Sequence, residues 1–353
     1  MHEGGTRTVS GVAESLGDAG QTAVISVSHA RGTPAIRRVM ACAPLPSRSM
    51  ALGTRRMGRY DTGVMNAGSE SVVHLKDGRR LAYAAYGAVE GTPVIALHGL
   101  PGSRLQYYPD DTITAAANVR LIVPDRPGYG FSDPLPERRV VDWADDVATL
   151  ADALGIRRFR VLGLSGGGPY ALACAATLRD RVVCVSLVSA LGPLDTPEST
   201  VGMMLPNRLM LRLVRRAPAV VRPGLRVTSA LLRRFPGLYR RWLTAHVSEA
   251  DRTVLSDTAV AGMLRNDLAQ ALRQGAAGVW SDLNALTAPW GFEMDRVETP
   301  ADVWHGDTDC IVPQQMGHVL AQRLPQARWR PVAGGGHFLV IPRWREILDA
   351  LCE

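Results

Sequence analysis

Short apolar runs alternate with amphipathic stretches along most of this chain. The apolar and alternating runs predict β-strands at Val72–Leu75, Arg80–Tyr86, Val94–Leu97, Leu121–Val123, Phe159–Leu164, Val182–Val188, Ala301–Trp304 and Arg328–Val332. Helices are predicted between them at Arg104–Asn118, Asp142–Leu154, Gly168–Leu178, Pro313–Leu324 and Trp344–Leu351. Because strands that alternate with helices form a mostly parallel sheet covered on both faces, the pattern predicts an α/β fold.

Two parts of the chain do not follow this alternation. Residues 1–66 are rich in Gly, Ser, Thr, Ala and Pro without a sustained strand or helix period, so we expect a disordered N-terminal extension. Residues 193–298 have a helical pattern and stand between two predicted strands, which predicts a helical insertion above the sheet. The core is then expected to comprise residues 67–192 and 299–353.

The insertion is predicted to contain several helices. Pro218, Pro223 and Pro236 should divide its first half into short helices, because proline interrupts the helical hydrogen-bond ladder. Ser248 and Asp251 have the spacing of a capping box that opens a longer helix. The apolar stripe of that helix continues through Val260, Leu264, Leu268, Leu272, Val279 and Leu283.

The composition is that of an ordinary globular protein, with 46% hydrophobic and 21% charged residues among 353. No apolar run approaches the roughly 18 residues that a membrane-spanning helix needs. Five cysteines without paired spacing argue against a disulfide framework or a zinc site and favour a reducing compartment. We therefore predict a cytoplasmic protein without a metal or cofactor.

Positive charge is concentrated in the insertion. The chain carries a formal net charge of +7, and residues 205–243 hold ten arginines and no acidic residue. One hypothesis is attraction of this segment to anionic lipid at a membrane surface or to an acidic substrate, and the alternative is a set of solvated helix faces. Nucleic-acid binding is not expected, because no recognised binding motif accompanies the charge.

Ser165 stands in the pattern G-x-S-x-G, between Gly163 and Gly167. It follows a predicted buried strand and precedes a predicted helix, which is where a nucleophile elbow must lie. The sharp turn strains the backbone of the serine, and side chains two residues away on either side would collide there. Ser165 is therefore the candidate nucleophile.

A nucleophilic serine needs a histidine base and an acid that orients it, and in this architecture the acid precedes the histidine. His337 follows three glycines in a loop after the last predicted strand, where an imidazole could reach Ser165. His305 ends a strand and His318 lies within a helix pattern. His337 is therefore the candidate base.

Three aspartates could orient the histidine. Asp309 is favoured because it leaves the turn after a strand at the start of a helix. Asp307 in the same turn suits a turn-forming role, since aspartate hydrogen-bonds its own loop. Asp195, after an earlier strand, is the third option.

The oxyanion that forms in acyl transfer needs two backbone N–H donors. Gly166, directly after the nucleophile, should supply one of them. The other should come from the loop at residues 98–103, where Pro101 has no N–H and Leu100 and Gly102 are the realistic donors. Leu100 is favoured, so Leu100 and Gly166 are the predicted substrate-binding residues.

These segments resemble the α/β-hydrolase superfamily over residues 70–353. The matching pieces are His98–Gly102, Asp125–Ser132, Gly163–Gly167, Gly306–Asp309 and Gly336–His337. The resemblance implies a mostly parallel sheet with helices on both faces, and a cap formed by the inserted helices of residues 193–298. It also implies a catalytic triad at Ser165, Asp309 and His337.

Several positions differ from the patterns of particular subfamilies. Epoxide hydrolases and haloalkane dehalogenases use an aspartate nucleophile, whereas this chain has Ser165. Proline iminopeptidases are similar in the loop that begins at Asp125, but they usually show H-G-G-P-G and G-G-S-W-G where this chain has Leu100 and Gly166. Hydroxynitrile lyases of this fold use a cap lysine, which the insertion lacks.

The sequence therefore predicts a serine hydrolase that cleaves the carboxylic ester of an apolar small molecule. The apolar face of the insertion, with Trp242, Trp280 and Trp290 nearby in sequence, favours an acyl or aromatic substrate. Two alternatives stay open: the same residues could cleave an amide, thioester, lactone or C–C bond, or the protein could be a non-catalytic small-molecule receptor. The oligomeric state is left open.

Overall fold

The structure, a computed structural model, describes residues 71–107, 110–194 and 197–353. The predicted extension over residues 1–66 and the alternative acid Asp195 lie outside these residues. Within them, no helix is both long enough and apolar enough to cross a membrane.

The described residues contain an eight-stranded sheet. Its strands are β1 (Ser71–His74), β2 (Arg80–Gly87), β3 (Thr92–Leu97), β4 (Val119–Pro124), β5 (Phe159–Leu164), β6 (Val182–Val188), β7 (Ala301–Gly306) and β8 (Ala327–Val332). They lie in the order β1-β2-β4-β3-β5-β6-β7-β8. Only β1–β2 and β2–β4 pair antiparallel, and the other neighbours are parallel. The predicted mostly parallel sheet is confirmed.

The helices in the same part of the chain fall into a core set and an inserted set. In chain order they are α1 (Asp111–Ala116), α2 (Trp143–Ala153), α3 (Gly168–Thr177), α4 (Leu205–Arg216), α5 (Pro218–Arg234), α6 (Gly237–His246), α7 (Glu249–Ser256), α8 (Thr258–Ala271), α9 (Ala277–Thr287), α10 (Gln314–Arg323) and α11 (Trp344–Cys352). Helices α4–α9 stand between β6 and β7, and we call them the cap.

Successive residues of the central strands face opposite sides of the sheet. Ile95 and Leu97 of β3 are buried in a cluster that includes side chains of α2, α3 and α10. Val94 and Ala96 of the same strand belong to a second buried cluster that includes α11. Helices therefore cover both faces, as predicted.

The predicted helix over residues 104–118 is wrong in its first half. Helix α1 begins only at Asp111, with Asp110 as its N-cap. Arg104 is held in the preceding turn by an ion pair with Asp125, in which Nη1 and Oδ2 are 2.9 Å apart and both side chains are buried. This long-range contact overrides the local helical pattern.

The single long helix predicted from Ser248 is also wrong. Ser248 does cap α7, since its hydroxyl accepts a hydrogen bond from the Asp251 N–H (3.3 Å). Asp257 then starts α8 by accepting hydrogen bonds from two further backbone N–H groups, and Gly275, with φ +74°, lies in the turn before α9. The break predicted at Pro223 does not occur either: Pro223 is the sixth residue of α5, where it removes a single backbone hydrogen bond, and the helix continues to Arg234.

Candidate active site

Ser165 lies in the turn between β5 and α3. Its φ of +52° falls in the left-handed region, which is strained for a residue with a side chain. A Cβ atom on Gly163 would lie 2.8 Å from the Cβ of Ala171, and a Cβ atom on Gly167 would overlap the carbonyl oxygen of Leu97. The two glycines thus give the turn the space that the G-x-S-x-G pattern requires.

His337 and Asp309 form a buried pair. The Nδ1 atom of His337 lies 2.8 Å from Oδ2 of Asp309. The other carboxylate oxygen, Oδ1, accepts hydrogen bonds from the backbone N–H groups of Ile311 and Val312, each at 2.9 Å. The backbone therefore fixes the carboxylate, and the carboxylate fixes the ring, which leaves Nε2 of His337 for a reacting proton.

The electrostatics of this pair shift the pKa values of the two groups in opposite directions. Burial raises the pKa of Asp309, but the neighbouring His337 and His305 outweigh it and lower that pKa to about 2. Burial lowers the pKa of His337, but the charge and hydrogen bond of Asp309, together with the charge of Asp251, raise it above its usual value of 6.5. A base that takes a proton from a serine hydroxyl needs such stabilisation of its charged form.

Ser165 and His337 line the same cavity, so the structure brings the candidate nucleophile and base together. Asp307, the alternative acid in the turn, is exposed and accepts a hydrogen bond from the Gly334 N–H (2.8 Å), which is the contact of a turn-forming residue. His318 contacts Trp329, and the two rings are tilted with their centroids 4.2 Å apart.

The predicted oxyanion donors are neighbours. A Cβ atom on Gly166 would lie 3.5 Å from the backbone nitrogen of Leu100. Neither N–H takes part in the loop and turn hydrogen bonds of the described residues. The loop is held through Gly99, whose N–H donates to Gln106 Oε1 and whose carbonyl accepts from Arg126 Nη2 (2.9 Å). The two predicted donors therefore lie side by side at the turn of Ser165.

A second cavity meets the first at Ser165. The first has a volume of about 80 Å³ and the second about 190 Å³, and both are lined by Leu100, Pro101 and Ser165. The second cavity is otherwise largely aliphatic, with Leu191, Met203, Met210, Leu225, Val279 and Leu283 on its walls. None of the three tryptophans singled out in the sequence lines either cavity.

Sequence reasoning missed the role of Asp251 on α7. Its carboxylate is buried, and Oδ2 accepts a hydrogen bond from the backbone N–H of His337 (3.0 Å) while Oδ1 accepts one from Phe338 (2.8 Å). A Cβ atom on Gly336 would overlap this carboxylate, so glycine is needed there for the close approach. The cap therefore holds the loop that carries the candidate base.

Two further cap carboxylates hold other core loops. Asp267 on α8 accepts hydrogen bonds from the Ser103 N–H and hydroxyl, both at 2.7 Å, and from Gln106 Nε2 at 3.0 Å. Burial raises the pKa of Asp267 to about 7. Gln106 in turn contacts the loop of the oxyanion donors, so α8 supports that loop from the cap side.

Asp282 on α9 is fully buried at the centre of a polar network. It pairs with the guanidinium groups of Arg126 and Arg138 and accepts hydrogen bonds from the hydroxyls of Tyr129 (2.9 Å) and Tyr170 (2.8 Å). Burial raises its pKa, but the two arginines lower it to about 2 overall. The sequence held a signal for this residue, since an acid three residues after Val279 falls within an apolar stripe.

The comparison with known families identifies a match over most of the described chain. The sequence profile of the family described as alpha/beta hydrolase fold matches residues 92–343 of this chain. Non-heme chloroperoxidase from Streptomyces lividans is 34% identical over 130 residues, which are 36% of this chain and 47% of that protein. The match thus spans about half the length of that relative.

Two other similar proteins match over most of their length. Proline iminopeptidase from Xylella fastidiosa is 27% identical over 324 residues, covering 78% of this chain and 91% of that protein. The crystal structure of bromoperoxidase from Bacillus anthracis superposes with a TM-score of 0.62 at 20% identity, covering 80% of this chain and 98% of the other. At that identity, the structural likeness bears on the fold alone.

Proposed function

The chain belongs to the α/β-hydrolase family, and we propose that it is a serine hydrolase that cleaves the carboxylic ester of an apolar small molecule. The observation that carries the proposal is the convergence of a strained elbow serine and an aspartate-held histidine on one cavity. The aliphatic walls of the second cavity support an apolar substrate.

In the proposed mechanism, Ser165 Oγ attacks the ester carbonyl carbon while His337 Nε2 takes the hydroxyl proton. The N–H groups of Leu100 and Gly166 stabilise the negative oxygen of the tetrahedral intermediate. The intermediate expels the alcohol, which takes the proton from His337. Water then attacks the acyl-enzyme with His337 again as the base, which releases the acid and restores Ser165. Asp309 orients the imidazole and stabilises its charge.

The cavity volumes lead to an expected chain-length preference. Volumes of about 190 and 80 Å³ are small beside the roughly 300–1,000 Å³ of pockets for drug-sized ligands. Among p-nitrophenyl esters from acetate to palmitate, we expect kcat/KM to be highest for short or medium acyl chains and to fall steeply for the longest.

The matched p-nitroanilides of the best acyl groups serve as the control for bond type. Faster cleavage of an anilide than of its ester would replace the ester proposal with an amidase. Turnover of neither class, with one ligand bound tightly per chain, would instead favour a receptor.

We also infer that Asp251 is a positioning residue for His337. Asp251→Asn removes a negative charge and places an amide N–H against a backbone N–H of the histidine loop. We expect kcat to fall about 10- to 100-fold, since small displacements of a catalytic group are costly, while KM changes little. Because the charge of Asp251 raises the pKa of His337, its loss should move the acid limb of the kcat/KM profile to lower pH.

Asp257→Asn is the matched control for this substitution. Asp257 also accepts two backbone hydrogen bonds at a helix start, but it is exposed and faces α8. Asparagine is an equally good N-cap, so kcat and the pH profile should stay as in the wild type. An Asp251→Asn protein with lower stability but an unchanged pH limb and kcat would contradict the positioning role.

A further inference from the structure

The outer surface of α4, α5 and α6 combines apolar side chains with arginines. Eight of the eleven large apolar side chains that are exposed in the described part of the chain lie there: Leu205, Leu209, Val220, Val227, Leu231, Phe235, Leu238 and Trp242. All ten arginines of residues 205–243 belong to the same helices, and nine of them are exposed. We call this the basic surface (residues 205–246).

Packing among the described residues does not account for the apolar residues of this surface. Helix α5 buries Val221 and Leu225 toward the rest of the cap. Val220, Val227 and Leu231, spaced seven and four residues apart, share a different face of the helix. Val220 and Val227 are 71% and 70% exposed. Helix α5 therefore has a second apolar face without a partner among the described residues.

Carboxylates of the described residues do not compensate the charge of this surface either. Among the described residues, none of its ten arginines forms an ion pair with a carboxylate. No acidic residue occurs between residues 205 and 248. A surface of this kind attracts an anionic partner and gains further from one that removes its apolar side chains from water.

We propose that the basic surface docks on a bilayer that contains anionic phospholipid. Lipid headgroups complement the arginines, while the acyl region takes up the side chains of residues such as Val227 and Leu231. A second copy would present the same positive charge to itself across a two-fold axis. Residues 1–66 do not complement the charge of this surface, because they carry eight arginines against four acidic residues and are themselves positive. A nucleic-acid backbone would match the charge but leave the apolar face in water.

The test is co-sedimentation of the full chain with vesicles, which needs no enzymatic activity and is independent of the proposed reaction. We expect binding to phosphatidylcholine vesicles with about 40% phosphatidylglycerol, release at high salt, and no binding to phosphatidylcholine alone. Arg212→Gln/Arg216→Gln should lower the partition coefficient roughly 30-fold. Val227→Ser/Leu231→Ser should lower it about tenfold.

Arg157→Gln/Arg158→Gln is the matched control, because it removes the same charge from an exposed turn outside the cap. Its binding should equal that of the wild type, and thermal unfolding checks that every variant is folded. The proposal would be overturned by equal sedimentation with both vesicle types, by an equal loss in the control pair, or by binding of an oligonucleotide without binding of vesicles. A dimer that the serine variants dissociate would assign the surface to a second copy instead.

Discussion

Ser165→Ala is expected to lower kcat/KM for the best ester by roughly four to six orders of magnitude, because Ser165 is the proposed nucleophile and the acyl-enzyme cannot form without it. The proposed oxyanion donors and the cavities stay in place in this variant, so a small residual rate above the uncatalysed reaction should remain. Initial rates with the best p-nitrophenyl ester measure the effect, and circular dichroism checks the fold.

Ser186→Ala is the control for that experiment. Ser186 lies in β6 next to the strand of the nucleophile, and its buried hydroxyl has no hydrogen-bond partner in the described structure. Loss of this hydroxyl should leave the rate unchanged. Wild-type ester cleavage by the Ser165→Ala protein would assign the nucleophile to another residue and remove the proposed mechanism.

Asp282→Ala is expected to destabilise the protein by about 3–5 kcal/mol, because it leaves two buried guanidinium groups without a counter-charge. Asp282→Asn, which keeps the volume and part of the hydrogen bonding, should be less severe. The free energy of unfolding in urea measures both variants. Asp349→Ala is the control, since Asp349 forms an ion pair with Arg345 in which both side chains are about half exposed, and such pairs contribute little.

The same carboxylate is expected to make the free energy of unfolding decrease at low pH. The pKa of Asp282 is lowered from 3.8 to about 2 in the folded protein. Its ionised form therefore stabilises the fold above about pH 4, and this contribution is lost as the pH falls toward 2. The Asp282→Asn protein should lose less stability than the wild type over that interval. Equal losses in the two proteins, or an Asp282→Ala effect no larger than that of Asp349→Ala, would contradict the central role of Asp282.

The three buried cap carboxylates connect the cap to the loops around the candidate site. Asp251 contacts the loop of His337. Asp267 contacts the segment beside the proposed oxyanion donors. Asp282 contacts Arg126, which holds the loop that contains one of these donors. Each contact joins a cap helix to a different core loop. We therefore expect displacement of the cap to disturb catalysis as well as substrate binding.

The sequence by itself determined the features that depend on neighbouring residues. The period of apolar residues predicted the strands and the mostly parallel sheet, because the side chains of a strand alternate between its two faces. The elbow of Ser165 was readable because its two glycines stand two residues before and two residues after the serine, although the atoms that they avoid belong to Ala171 and Leu97. The structure places Leu100 beside Gly166 and His337 beside Asp309, and their roles in the reaction stay predictions.

Only the tertiary structure decided which polar residues are buried and what they contact. Asp251 had the spacing of a capping residue, yet its carboxylate binds a loop 86 residues away. Asp267 and Asp282 contact Ser103 and Arg126 across 164 and 156 residues. The ion pair of Arg104 with Asp125 likewise prevents the helix that was predicted to begin at Arg104. Local pattern cannot specify such pairs, because a carboxylate that leaves water is stabilised only by the donors that the folded chain brings to it.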